Sequence, residues 1–404
     1  MRRFSCLFLA VIVFLFLFQL TGCTEPDGQD DSSSAAPPAG GPAVQPLPDD
    51  SGAIDDDTAT ADDDGIEESD PYEPPLGTNP ALGYGPYKVR RELMQVPDDV
   101  QPGTAYVYVP DVKGPLPTLV WGHGIWAADW PQGQAEMFYR LASRGFLVVY
   151  PNMEVPFPSP ADDTVMKGVT VYLNSARRAV HQGLADPDHM VFGGYSFGAR
   201  VAVLATAMTS GMDPFNFWPD PVSCVYEALP DFSESWYIDF PGPRPSEWAP
   251  YINPEIDQTF IAAENDFVVP NYDAATGVAL NGAYLYEIVP ANFAQLIILQ
   301  SGSTIWDRAT HNTYLAPTQG QLDDYDLWGH IKIVAGIMQY RFHGHSKEWA
   351  YGFMRAVGGL DHAGKAIFHE VFNRGELYPH PGDDQEYDEE GFTDQGDGAG
   401  PRTN

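Results

Sequence analysis

The stretch Met190 to Thr209, MVFGGYSFGARVAVLATAMT, decides how the rest of the chain is read. Met190-Val191-Phe192 is a short apolar run that reads as a buried strand, and Ala199 to Met208 is rich in Ala, Val and Leu, as a helix packed on a sheet would be. Between them, Gly194-Tyr195-Ser196-Phe197-Gly198 fits G-x-S-x-G at a strand-to-helix turn, the setting of a nucleophile elbow. The glycines have a mechanical reason: the turn brings backbones together, and a Cβ at either position would clash. The hydroxyl of Ser196 is left exposed above the start of the helix. With 39 Gly in the chain, a chance match is expected roughly 0.2 times. The flanking strand and helix therefore carry the weight; without them the same residues would be a glycine-rich turn.

Strands alternate with helices on both sides of this turn. Upstream, Tyr87 to Val96 and Gly103 to Val109 read as two antiparallel strands. Pro117 to Trp121 is a buried strand running into Gly122-His123-Gly124-Ile125-Trp126. Gln132 to Ser143 places Ala135, Phe138, Tyr139, Leu141 and Ala142 on one helical face. Phe146 to Tyr150 is a continuous apolar strand, and Val165 to Leu184 reads as a helix. Downstream, Val222 to Leu229, Thr259 to Ala263 and Gln295 to Leu299 read as strands, Leu327 to Phe342 as a helix, and Trp349 to Phe372 as one or two more helices. Alternation of this kind implies an α/β fold: a mostly parallel sheet with helices on both faces. Gly211 to Ile252 breaks the rhythm with many prolines and aromatics. It reads either as a wall over a substrate cleft or as a loop packed on the domain with its own side chains.

Ligands in such sheets sit beyond the carboxyl ends of the strands. Four segments with useful chemistry follow strand ends here: the His123 loop, Ser196, Asp266 and His311. A serine hydroxyl needs an adjacent base to act as a nucleophile. His311 would take its proton, and Asp266 would hold the imidazole tautomer. Asp307 and Glu264 are rival acids; His330, His343 and His345 are rival bases, in or just after a helical pattern. His123 reads as a loop-shaping residue. The chain order Ser, Asp, His is the one found on α/β-hydrolase sheets.

These residues carry a resemblance. Gly194 to Gly198, Gly122-His123-Gly124-Ile125, the turn Ala263-Glu264-Asn265-Asp266-Phe267-Val268-Val269-Pro270, and the distal His311 resemble the α/β-hydrolases, in the branch of cutinase-like polyester hydrolases, chlorophyllases and dienelactone-hydrolase-like esterases. The resemblance spans Tyr87 to Phe342. It implies an α/β-hydrolase fold with catalytic Ser196, Asp266 and His311, and an oxyanion hole from the backbone N–H groups of Ile125 and Phe197. Trp126, Tyr195 and Trp306 would line a substrate pocket. Ala199-Arg200 departs from the pattern, since many relatives carry further glycines there. The longer spacing from Ser196 to Asp266 and the missing disulfide depart from compact polyester hydrolases.

The N-terminus adds a location. Met1-Arg2-Arg3, the apolar Phe4 to Leu20 and then Leu20-Thr21-Gly22-Cys23 read as a secretory signal over 1–22. The last four residues resemble a bacterial lipobox, with Cys23 the lipidated first residue of an exported lipoprotein. By the same resemblance, Thr24 points to the outer membrane or cell surface. Residues 24–80 hold no Lys or Arg and 16 Asp or Glu, the composition of an acidic, disordered stalk. Asp55 to Asp64 lacks EF-hand spacing for calcium. The catalytic domain is expected over 81–375 and an acidic, disordered tail over 376–404. A formal charge of −35 excludes nucleic acid as a partner, because phosphate binding needs a basic surface. Beyond Cys6 and Cys23 only Cys224 remains, so no intrachain disulfide is expected there. Neither H-E-x-x-H nor a dinucleotide glycine loop occurs, and no metal or cofactor is expected. The function expected is hydrolysis of a small-molecule or polymeric carboxylic ester by a membrane-tethered serine esterase. A lipase or peptidase of the same fold, or a non-catalytic adhesion lipoprotein on this scaffold, stay open as alternatives.

Overall fold

A computed structural model describes residues 84–96, 103–125, 132–153, 163–212, 221–232, 242–303, 309–314, 330–344, 347–351, 365 and 369–375. All of them fall in the unit Leu76–Asn404. The segments read as signal, lipid site, stalk and tail (1–80 and 376–404) lie outside the described residues.

Among the described residues, nine strands form one sheet: β1 (Val89–Val96), β2 (Gly103–Pro110), β3 (Leu116–Gly122), β4 (Leu147–Asn152), β5 (Ala185–Tyr195), β6 (Ser223–Glu227), β7 (Asp257–Ala263), β8 (Phe293–Leu299) and β9 (Glu370–Gly375). Between them run α1 (Gln132–Ala142), α2 (Thr164–His181), α3 (Phe197–Ala207), α4 (Pro245–Trp248), α5 (Asn281–Ile288), α6 (Lys332–His343) and α7 (Lys347–Tyr351). The spatial order is β1-β2-β4-β3-β5-β6-β7-β8-β9. β4, β3, β5, β6, β7 and β8 are parallel; β1–β2, β2–β4 and β8–β9 pair antiparallel. This order, with a strand–turn–helix at its centre, is the α/β-hydrolase fold expected from the sequence.

The continuous apolar strands are explained by burial on both faces. Val120, Val149, Phe192, Phe260 and Ile298 face one core, under α2, α3 and α5. Their strand neighbours Leu119, Val148, Val191, Ile261 and Ile297 face the other, under α1 and α6. α3 is buried along its whole length, which suits its run of Ala and Val.

Three features differ from the sequence reading. Asn281–Ile288 forms α5; it is too short to display a clear apolar stripe. In place of the helices expected over Trp349 to Phe372 there is the five-residue α7, residues outside the described set, and then β9. The exposed edge of β8 offers unpaired backbone groups, and β9 takes them up against its weak local preference. The Arg374 guanidinium pins the strand by donating to the carbonyls of Glu287 and Val289, at the C-terminal end of α5.

At the head of β9, the His369 Nδ1 accepts the N–H of Gln300 at 3.2 Å, which requires a neutral ring. Burial, and then the charge of Lys332, push His369 down from 6.5 to about 3. A histidine depressed in the folded state contributes stability above its unfolded pKa and loses it as pH falls toward the folded one. Stability should therefore fall between pH 6.5 and pH 3, with a slope of up to about 1.4 kcal/mol per pH unit from this group. Denaturant titrations of wild type and His369→Asn across that range should differ by this slope.

The third feature is Arg200, a charged residue wholly buried in α3. Its guanidinium donates to the carbonyls of Phe232 at 2.9 Å, Gly242 at 3.2 Å and Pro243 at 2.8 Å. Burial pulls its pKa down to about 10, while the charge of Asp231 acts the other way. The departure at position 200 thus has a structural use: one side chain ties Phe232 to Gly242 and Pro243. Residues 213–220 and 233–241 lie outside the described set. Arg200→Met should cost about 3 kcal/mol, read from the denaturation midpoint, because three partly buried carbonyls lose a charged donor.

Candidate active site

β5, the central strand, ends at Tyr195 on the carboxyl side of the sheet, and the chain reverses into α3 at the next residue. Ser196 sits at φ 54° and ψ −119°, a strained conformation for a residue with a side chain. Its N–H donates to the carbonyl of Glu227 at 2.8 Å, and its carbonyl accepts the N–H of Arg200 at 3.2 Å. Glycines let three backbones meet here. A Cβ on Gly194 would lie 2.5 Å from the Gly198 carbonyl carbon, and one on Gly198 would lie 2.1 Å from the Gly122 carbonyl. The end of β3, the end of β5 and the start of α3 therefore interlock at this turn.

The three residues singled out as a triad come together. The His311 Nε2 is 3.1 Å from the Ser196 Oγ, and its Nδ1 is 2.8 Å from the Asp266 Oδ2. With the ring proton on Nδ1, the imidazole donates to Asp266 and accepts the Ser196 hydroxyl. The Asp266 side chain is 1% exposed and that of His311 12%. The other oxygen of Asp266 accepts the N–H groups of Val268 at 2.9 Å and Val269 at 2.8 Å, which fixes the carboxylate plane. Below it, Asn271 Nδ2 donates to the Ala263 carbonyl at 2.8 Å, and Asn281 Nδ2 to that of Pro270 at 2.8 Å. His311 opens a 3₁₀ turn, His311–Tyr314, not the plain loop its polar neighbours suggest.

The rivals sit elsewhere. Glu264 turns to the Ser301 N–H at 3.0 Å. His123 is wholly buried and bridges its own loop: Nδ1 donates to the Gly124 carbonyl at 2.7 Å, and Nε2 accepts the Met153 N–H at 2.9 Å. That loop abuts the nucleophile, since a Cβ on Gly124 would lie 3.5 Å from the Ser196 Cβ. It carries Ile125, half-buried against the core, and Phe197 stands at the first position of α3. His343 lies beside Phe146, with ring centroids 5.3 Å apart. Trp126, Trp306, Asp307 and His345 lie outside the described residues. Tyr195, expected in the substrate pocket, is only 4% exposed, and its hydroxyl is committed to the His311 backbone at 2.7 Å. The position beside the nucleophile suggests a pocket wall, but the side chain turns under the histidine.

A second acid–imidazole pair has no counterpart in the sequence reading. The Glu227 Oε1 and the His330 Nδ1 form a short hydrogen bond with both side chains buried. Burial pushes the Glu227 carboxyl up, and His330 opposes that shift. The same residue that holds the Ser196 N–H through its carbonyl thus ties the start of α6 through its side chain. A Glu ending an apolar strand was the one available signal; nothing local pairs it with a histidine 103 residues away.

No family model and no curated protein matches the chain. Among solved structures it is similar to a crystal structure named "Putative Dienelactone Hydrolase" from Klebsiella pneumoniae subsp. pneumoniae. The TM-score is 0.40 and the identity 15%, over 52% of this chain and 85% of that one.

Proposed function

We propose that the chain is a serine hydrolase that cleaves carboxylic esters through an acyl-enzyme. The observation that carries this is the unbroken line from the Ser196 hydroxyl through His311 to Asp266, with separations of 3.1 and 2.8 Å, on a strained turn between β5 and α3. The Ser196 Oγ attacks the ester carbonyl carbon while the His311 Nε2 takes its proton. Asp266 keeps the other ring proton on Nδ1 and stabilises the imidazolium. The backbone N–H groups of Phe197 and Ile125 receive the negative oxygen, each contributing roughly 3 kcal/mol. His311 returns its proton to the departing alkoxide. Water, deprotonated by the same ring, then releases the acid and restores Ser196.

The substrate class proposed is an ester with an apolar acyl or aryl group. In the same reading, residues 1–22 direct export, a lipid on Cys23 tethers the protein to a membrane, and residues 24–80 hold the domain away from it. The test is turnover of p-nitrophenyl butyrate by the purified protein, with Ser196→Ala as control. Equal rates in the two would end the proposal.

A further inference from the structure

Tyr195 joins two members of the proposed triad that come from distant parts of the chain. Its backbone leads directly into Ser196, and its hydroxyl donates to the backbone carbonyl of His311 at 2.7 Å. Its ring lies 5.1 Å from the imidazole, tilted by 41°. Gly124 makes room for it: a Cβ there would press to 2.8 and 2.9 Å from two ring carbons.

The other ties on the histidine segment act one or more residues away. The Asn265 N–H donates to the Ala309 carbonyl at 2.8 Å. The Ala309 N–H donates to the Ser301 Oγ at 3.1 Å. The Thr310 N–H and the Thr313 Oγ1 close a local turn at 2.8 Å. Asp266 grips the ring, and a ring gripped at Nδ1 alone can still swing its Nε2 away if the backbone beneath it shifts. Among the described residues, the Tyr195 hydroxyl is the tie that reaches the backbone of His311 itself from another part of the fold.

We propose that Tyr195 is a positioning residue for the base: its hydroxyl sets the seat of His311 so that Nε2 meets the Ser196 oxygen. The inference rests on the triad reading above and assigns Tyr195 a role other than lining the acyl pocket. The Ser–His separation of 3.1 Å leaves little slack before that hydrogen bond weakens. Small displacements of a reacting group cost rate steeply, up to about a hundredfold per ångström.

The test is Tyr195→Phe, which keeps the ring and its burial and removes only the hydroxyl. Steady-state kinetics on p-nitrophenyl acetate, butyrate and hexanoate are compared with wild type, together with the rate of inactivation by a fluorophosphonate. All rates are normalised to the sites labelled at completion, so a misfolded fraction cannot imitate the effect. The expected result is a fall in kcat of about tenfold, the same for all three esters, with KM held within about twofold and the inactivation rate falling in step. An unchanged kcat per labelled site overturns the inference. So does a change confined to KM that varies with acyl length, the signature of a pocket wall. Either result in an active wild type leaves the hydrolase reading standing. A wild type that neither turns over nor labels overturns both.

Discussion

Ser196→Ala is expected to lower kcat for p-nitrophenyl butyrate by about 10⁴- to 10⁶-fold, the loss that follows removal of a serine nucleophile from an acyl-transfer site. The size follows from what remains. Without the oxygen there is no acyl-enzyme, and His311 and the loop N–H groups can only assist direct attack by water. The fold should hardly notice. Ser196 is held at φ 54° by its neighbours, and alanine is no less suited to that conformation. Its backbone bonds to Glu227 and Arg200 are untouched. The denaturation midpoint should therefore move by less than about 1 kcal/mol. A large loss of activity with an unmoved midpoint separates chemistry from folding. A loss of both would point to a merely structural serine.

Gly198→Ala should do the reverse and cost about 3 kcal/mol or more, taking activity with it. The added methyl would lie 2.1 Å from the carbonyl carbon and oxygen of Gly122 and 2.7 Å from the His123 nitrogen. All three are backbone atoms, so no side chain can rotate away, and the end of β3 must part from the start of α3. The Ile125 loop and the Ser196 turn are built on those two ends. Gly282→Ala, where the nearest atom is 3.7 Å away on Leu229, serves as the control and should be neutral. Thermal or denaturant midpoints of the two variants, measured side by side, check the prediction.

Features governed by near neighbours were legible in the sequence. Apolar strands such as Phe146 to Tyr150 announce themselves because both faces of the sheet are covered. The elbow glycines announce the turn, because only glycine tolerates that approach. Asp266 and His311 could be picked out since each follows a strand end. What stayed hidden depends on pairs far apart in the chain. Arg200 gives no local sign that it will bind carbonyls at 232, 242 and 243. Glu227 and His330, the latter weighed only as a rival base, show no sign of pairing until the fold brings β6 beside the segment leading into α6. β9 forms because β8 has an open edge, and Glu370 to Gly375 shows little strand pattern of its own. Tyr195 misled for the same reason: its place beside Ser196 says where the backbone is, and the distant His311 carbonyl decides where the hydroxyl goes.

The most direct measurement is reaction of the folded protein with a fluorophosphonate, followed by peptide mapping of the adduct. One label per chain, carried by Ser196 and abolished in His311→Ala, is the predicted result. A label on another residue, or none on a protein shown to be folded, would contradict a hydroxyl activated by that imidazole.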